Sequence, residues 1–213
     1  MMKRFLSIIL LASLPITHAV AQWDTAGLRL QSLSPAPALA GVAMIGAGSL
    51  LTFNPVLHEV AVSIREGVTS ANLPKLHFDD YIQYIPASAP LALNLCGLKS
   101  RHSLPRMALL EGGSYLLGAG WLWTGKYGLG VLRPDNTTHR SFPSGHTFFS
   151  FTGAEILRRE YGEEYPWIAV AGYTVATIVG LMRIYNNRHW AGDVLAGAGL
   201  GILSVTLVYW ALD

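Results

Sequence analysis

The chain has 213 residues, 51% of them hydrophobic and 13% charged, with a formal net charge of +2. One domain of ordinary size fits that length, and a charged share about half that of soluble domains is the composition of a protein that sits in lipid. The small net charge, with no basic run interleaved with aromatics, argues against a nucleic-acid partner, and a single cysteine excludes an internal disulfide.

The first residues have the layout of an export signal. Lys3 and Arg4 precede an apolar run over 5–14, and Ala19 and Ala21 give a small-residue cleavage site before Gln22. A signal peptide over 1–21 is expected, with an uncleaved anchor as the alternative. Residues 37–53 are apolar and glycine-rich, about the minimum length for a crossing. Residues 55–72 carry Glu59, Arg65 and Glu66 among Val, Leu and Ile at helical spacing, which predicts an amphipathic helix lying on the membrane surface. Apolar helices are then predicted over 80–98, 104–123, 144–157, 167–182 and 193–212, separated by Gly, Pro, Asn and clustered charge. Trp121, Trp123, Trp167, Trp190 and Trp210 fall near their ends, where aromatic belts form. Cys96 lies in an apolar stretch and reads as a small buried hydrophobe. The expected fold is all-α, a membrane-embedded helical bundle in one domain over 22–213.

Orientation follows from the basic residues. Lys99, Arg101, Arg106, Arg158 and Arg159 occupy one set of breaks, and Lys126, Arg133, Arg140, Arg183 and Arg188 the other. A plain count is balanced; with Lys126, Arg133 and Arg183 reserved for chemistry, the first set faces the cytoplasm and the reactive end faces outward. A cleaved signal would leave Gln22 outside, and a full crossing by 37–53 would then give the opposite parity. Either that segment does not fully cross or the signal stays attached.

Chemistry is concentrated in three clusters: KYGLGVLRP from Lys126, PSGH from Pro143, and RIYNNRHWAGD from Arg183. Asp193 follows His189 by four positions, so on a helix the carboxylate would hold an imidazole N–H and leave the other ring nitrogen free to attack. Near a helix start, Asp193 would stay ionised. In PSGH, Pro143 suits a first helical turn, Ser144 and Gly145 present backbone N–H groups and a hydroxyl to an anion, and His146 stands ready to protonate a leaving oxygen. Arg133 and Arg183 supply bidentate forks for phosphate oxygens and Lys126 a point charge, a clamp able to stabilise phosphoryl transfer without a metal. A metal site built from His139, His146, His189 and Asp193 is the competing reading, disfavoured by the neighbouring cations.

Together the clusters resemble the signature of the type 2 phosphatidic acid phosphatase superfamily, K-x6-R-P, P-S-G-H and S-R-x5-H-x3-D. Lys126 and Arg133 match the first, residues 143–146 the second, and Arg183, His189 and Asp193 the third; Met182 stands where the family usually has serine. The resemblance runs over about 79–212. It implies a six-helix core bundle and a phosphohistidine intermediate, with His189 as nucleophile, Asp193 its orienting partner and His146 the acid and then base. Phosphate would be held by Lys126, Arg133, Ser144, Gly145 and Arg183, with no cofactor and no metal. Asp79, Asp80, His139, Arg140 and Arg188 lie near the same face and read as helix caps or surface pairs.

The expected substrate is a membrane lipid phosphate entering from the bilayer: lipid A, undecaprenyl diphosphate, phosphatidylglycerophosphate or phosphatidic acid. The expected place is a bacterial inner membrane with the site facing the periplasm, and no obligate protein partner is expected. The alternatives are a soluble periplasmic acid phosphatase and a protein that binds or translocates lipid phosphates without turnover.

Overall fold

Proline, asparagine and serine mark where helices begin. A computed structural model describes residues 34–70 and 74–213; the signal expected over 1–21 lies outside them. Helix α1 (Ala36–Phe53) starts behind Pro35, and α2 (Pro55–Thr69) is capped by Asn54, whose side chain accepts the N–H groups of Val56 and Leu57 at 3.0 and 3.1 Å. Then come α3 (Asp79–Ile82), α4 (Tyr84–Leu95), α5 (Leu104–Gly128), α6 (Gly145–Tyr161), α7 (Pro166–Tyr185) and α8 (Ala191–Leu212). Among the described residues there is no strand. The single helix predicted over 80–98 is two, α3 and α4. Pro86 has no N–H to give the carbonyl of Ile82, so the ladder is interrupted there and a break at Gln83 separates them.

Six helices, α1 and α4 to α8, run between the two ends of the bundle, and α2 and α3 cover one end. Helix α6 is central, packed by α4, α5, α7 and α8, while α1 lies along α8. That last contact depends on small residues. A Cβ on Gly48 would come within 2.5 Å of the Gly192 carbonyl and 2.6 Å of Ala196 N, and one on Gly41 within 2.9 Å of the Gly199 carbonyl. Position 48 faces the start of α8 and position 41 its middle, so the two helices are antiparallel. The C-terminal end of α1 therefore lies beside the turn that carries His189.

Among the described residues three helices, α1, α7 and α8, are long and apolar enough to cross a membrane. Helix α6 is more polar than that, since Glu155, Arg158, Arg159 and Glu160 all lie on it. Enclosure by its neighbours supplies the partners. Glu155 accepts from Arg158 at 2.7 and 2.6 Å, from Arg159 at 3.0 Å and from the Tyr173 hydroxyl at 2.6 Å, while Glu160 accepts from Tyr209 at 2.7 Å and meets His102 at 2.9 Å. Arg158 and Arg159, expected as loop charges, are thus part of the helix and paired within the bundle. Cys96 ends α4 exposed, against the buried position expected, because the chain turns there through Gly97 at φ 87°. Helix α2 has the amphipathic character expected. Its Arg65 donates to Asn187 Oδ1 at 2.7 Å and lies over the Trp190 ring, against which His58 also packs at 4.8 Å between centroids.

Candidate active site

All three sequence clusters meet at the end of the bundle covered by α2 and α3. Lys126 occupies the last turn of α5 and donates to the Arg140 carbonyl at 3.2 Å. The following loop folds on itself: Arg133 N–H donates to the Thr138 carbonyl at 3.0 Å, Asn136 returns an N–H to Arg133 at 3.0 Å, and Asn136 takes φ 59°. Two contacts tie this loop to the third cluster. Arg188 pairs with Asp135 at 3.1 Å, and the Trp190 indole donates to the Leu132 carbonyl at 2.9 Å.

After the cis Phe142–Pro143 bond, Ser144 is the N-cap of α6. Its backbone N–H donates to the Asp193 carbonyl at 2.9 Å, so that N–H, expected to face an anion, is already used to fasten α6 to α8. Its Oγ accepts from Thr147 Oγ1 at 2.9 Å, which leaves the Ser144 hydroxyl hydrogen free to donate. Gly145 begins the helix, where N–H groups have no intrahelical partner.

His189 is not on a helix, contrary to the spacing argument. It lies in a turn between α7 and α8 where Asn187 takes φ 61°, with its N–H directed at the Arg183 carbonyl at 3.2 Å. Asp193 is the third residue of α8, and its side chain reaches back to accept the Trp190 N–H at 2.9 Å. That reach brings Oδ2 to 3.4 Å from His189 Nδ1, so the pair forms by capping geometry rather than by a shared helix face. His189 is 1% and Asp193 0% exposed. Burial pushes His189 down to about 4, with Lys126 and Arg183 acting in the same direction against the pull of Asp193. The ring is therefore neutral at ordinary pH. Its Nδ1 faces Asp193, and Nε2 remains for chemistry.

Arg183, in the last turn of α7, is held by two carboxylates that the sequence reading had placed as caps or surface pairs. Its Nη1 donates to Asp79 Oδ2 at 2.7 Å and to Asp80 Oδ1 at 2.9 Å. Asp79 is wholly buried, and its other oxygen accepts from Asn186 at 2.9 Å. Asp80 Oδ1 also lies 2.8 Å from His146 Nε2. Burial raises the Asp80 pKa, but its bond to His146 and the charge of Arg183 outweigh that and hold it low. One carboxylate oxygen thus bridges an imidazole and a guanidinium. Nothing local marked these partners, since Asp79 and Arg183 are 104 positions apart; the available signal was two adjacent carboxylates in a chain with few charges.

Lys126, Arg133 and Arg183 lie close enough to act on one another electrostatically, and Arg133 is depressed by burial and then by Arg183. The Nε atoms of Arg133 and Arg183 are buried without a protein partner, which leaves both N–H groups able to donate to an oxyanion. Among the described residues the exposed His139 ring meets the Gly130 carbonyl at 3.3 Å, and the Arg140 guanidinium stacks on Tyr127. Among the described residues no three His, Cys, Asp or Glu side chains gather as metal ligands.

The sequence profile described as "PAP2 superfamily" matches residues 105–213. A lipid A 1-phosphatase from Porphyromonas gingivalis is 44% identical over 169 residues, covering 78% of this chain and 37% of that protein. An undecaprenyl-diphosphatase from Sulfolobus acidocaldarius is 34% identical over 87 residues, covering 36% of this chain and 41% of that one. The chain thus spans about two-fifths of the length of these relatives. In three dimensions it resembles a transmembrane PAP2 type phosphatidylglycerolphosphate phosphatase from Bacillus subtilis, with a TM-score of 0.53 at 21% identity over 82% of this chain and 94% of that one.

Proposed function

Because the chain belongs to the PAP2 superfamily, we propose that it is a metal-independent membrane phosphatase acting on a lipid-linked phosphate through a phosphohistidine. The observation that carries this reading is the convergence of Lys126, Arg133 and Arg183 on a buried His189–Asp193 pair at one end of a bundle with membrane-length helices. Of the candidate substrates, lipid A is favoured by the 44% identity to a lipid A 1-phosphatase.

In this mechanism the three cations, the Ser144 hydroxyl and the Gly145 N–H hold the non-bridging oxygens. His189 Nε2 forms a bond to phosphorus as the bond to the lipid oxygen breaks, and the proton of His146 goes to that oxygen. Water then attacks the phosphohistidine; His146 takes its proton, the phosphorus–nitrogen bond breaks, and inorganic phosphate leaves with His189 neutral again. Asp80, an anion bridging His146 and Arg183, occupies the kind of position a phosphate oxygen would take, and substrate exchanges with it. The test is phosphate release by detergent-purified protein from lipid A, phosphatidic acid and p-nitrophenyl phosphate, with and without chelator. Lipid phosphates should be turned over with the higher kcat/KM, undiminished by chelator, and vanadate should inhibit. Binding without release, or activity restored only by a divalent metal, would overturn the proposal.

The same reading places the site on the periplasmic side of an inner membrane. Lys99, Arg101 and Arg106 lie at the opposite end, and since Lys99 and Arg101 are paired there with Glu164 and Asp213 much as Arg188 is with Asp135, the asymmetry comes from reserving Lys126, Arg133 and Arg183 for phosphate. With α1 antiparallel to α8, a periplasmic site requires Ala36 to be cytoplasmic, and a full crossing by α1 is then incompatible with an export signal cleaved after Ala21. A Thr138→Cys variant should react with an impermeant maleimide added to spheroplasts, while native Cys96, exposed at the far end, should react only after lysis. The reverse pattern would invert the orientation.

A further inference from the structure

One buried hydroxyl outside the three clusters touches both members of the nucleophile pair. Ser141 is wholly buried, and its backbone N–H is fixed on the Val131 carbonyl at 2.9 Å. Its Oγ donates to Asp193 Oδ2 and lies 3.4 Å from His189 Nδ1. The same Oδ2 accepts the Trp190 N–H, whereas Oδ1 has no partner. Two donors other than the imidazole therefore set the carboxylate's orientation: a backbone N–H of the turn, which any residue would supply, and a side-chain hydroxyl, which only a few would.

We propose that Ser141 is a positioning residue for the nucleophile, holding Asp193 so that the carboxylate meets His189 at Nδ1 and Nε2 is left to face phosphorus. The inference rests on the phosphohistidine reading above. Without the hydroxyl, Oδ2 keeps the Trp190 N–H as its one donor besides the imidazole, and the carboxylate can rotate, carrying the imidazole away from the line of attack. The hydroxyl also draws on the charge of Oδ2; its removal gives that charge to the ring, which then keeps a proton to higher pH. The other charged groups facing this pair, Lys126 from α5, Arg183 from α7 and Arg133 from the preceding loop, are unchanged by the substitution.

The experiment compares wild type with Ser141→Ala and Ser141→Cys in detergent, using lipid A as the probe. Ser141→Ala should lower kcat by about 10- to 100-fold, as a displaced reacting group does. KM should stay within about twofold, because the phosphate clamp is untouched. The acid limb of the kcat/KM profile should move upward. Ser141→Cys, close in volume with a weaker donor, should fall between the two and covers the case in which alanine does not fold. Wild-type kcat and an unmoved limb in either folded variant would overturn the role of Ser141 alone. An inactive wild-type protein would overturn the phosphatase reading together with it.

Discussion

His189→Ala should lower kcat by about 10⁴-fold or more and leave lipid phosphate binding nearly intact. In the proposed mechanism the loss follows from removing the atom that forms the bond to phosphorus: His146 is turned to Asp80, Asp193 is held by Ser141 and the Trp190 N–H, and Lys126 and Arg183 are cations without a lone pair to offer. Binding persists because Lys126, Arg133 and Arg183 remain. The measurements are phosphate release and equilibrium binding of radiolabelled lipid phosphate to the purified variant. The wild type carries a related signature in pH. His189 has its pKa lowered by burial to about 4, and only the neutral ring has a lone pair on Nε2, so kcat/KM should hold as pH falls through 6.5 and decline only near 4. A limb at an ordinary histidine pKa, or a folded His189→Ala protein with normal turnover, would remove His189 from the mechanism.

How far the sequence led depends on whether partners were close along the chain. The lysine, arginines, PSGH and the His189–Asp193 spacing were legible because each is a local pattern, and the apolar runs located α1 and α5 to α8 to within about a turn and a half, while the run over 80–98 is α3 and α4. Even there the physical reason differed: four-residue spacing predicts a shared helix face, but His189 precedes α8 and Asp193 reaches back as a cap. The role of Asp79 and Asp80 was not legible, because their partners Arg183 and His146 lie on other helices and two carboxylates at a helix start also look like ordinary N-terminal charges. Ser141 was hidden for the same reason, its partner Asp193 being 52 positions away. Helix α6 read as a shorter apolar segment than it is, since its last turn is charged. Only enclosure by four other helices makes that tolerable.

In the proposed mechanism Arg183 combines a structural and a chemical role, and the two should come apart in a pair of variants. Arg183 is 4% exposed and Asp79 is fully buried, at 2.7 Å from Nη1. Arg183→Ala removes a phosphate donor, worth about 10²- to 10³-fold in kcat by analogy with loss of one oxyanion-hole contact. It also strands the Asp79 carboxylate without its counter-charge, at a cost of about 3–5 kcal/mol. The melting temperature in detergent should fall accordingly. Adding Asp79→Asn removes the stranded charge while its side-chain oxygen can still accept from Asn186, which now contacts Asp79 Oδ1 at 2.9 Å. The double variant should therefore recover most of the lost melting temperature and almost none of the lost turnover. Recovery of both together would mean that Arg183 serves only to satisfy Asp79, and the clamp would then consist of Lys126 and Arg133 alone. A fall in turnover that persists at restored stability places the guanidinium on the phosphate, with its buried Nε not engaged by any protein acceptor.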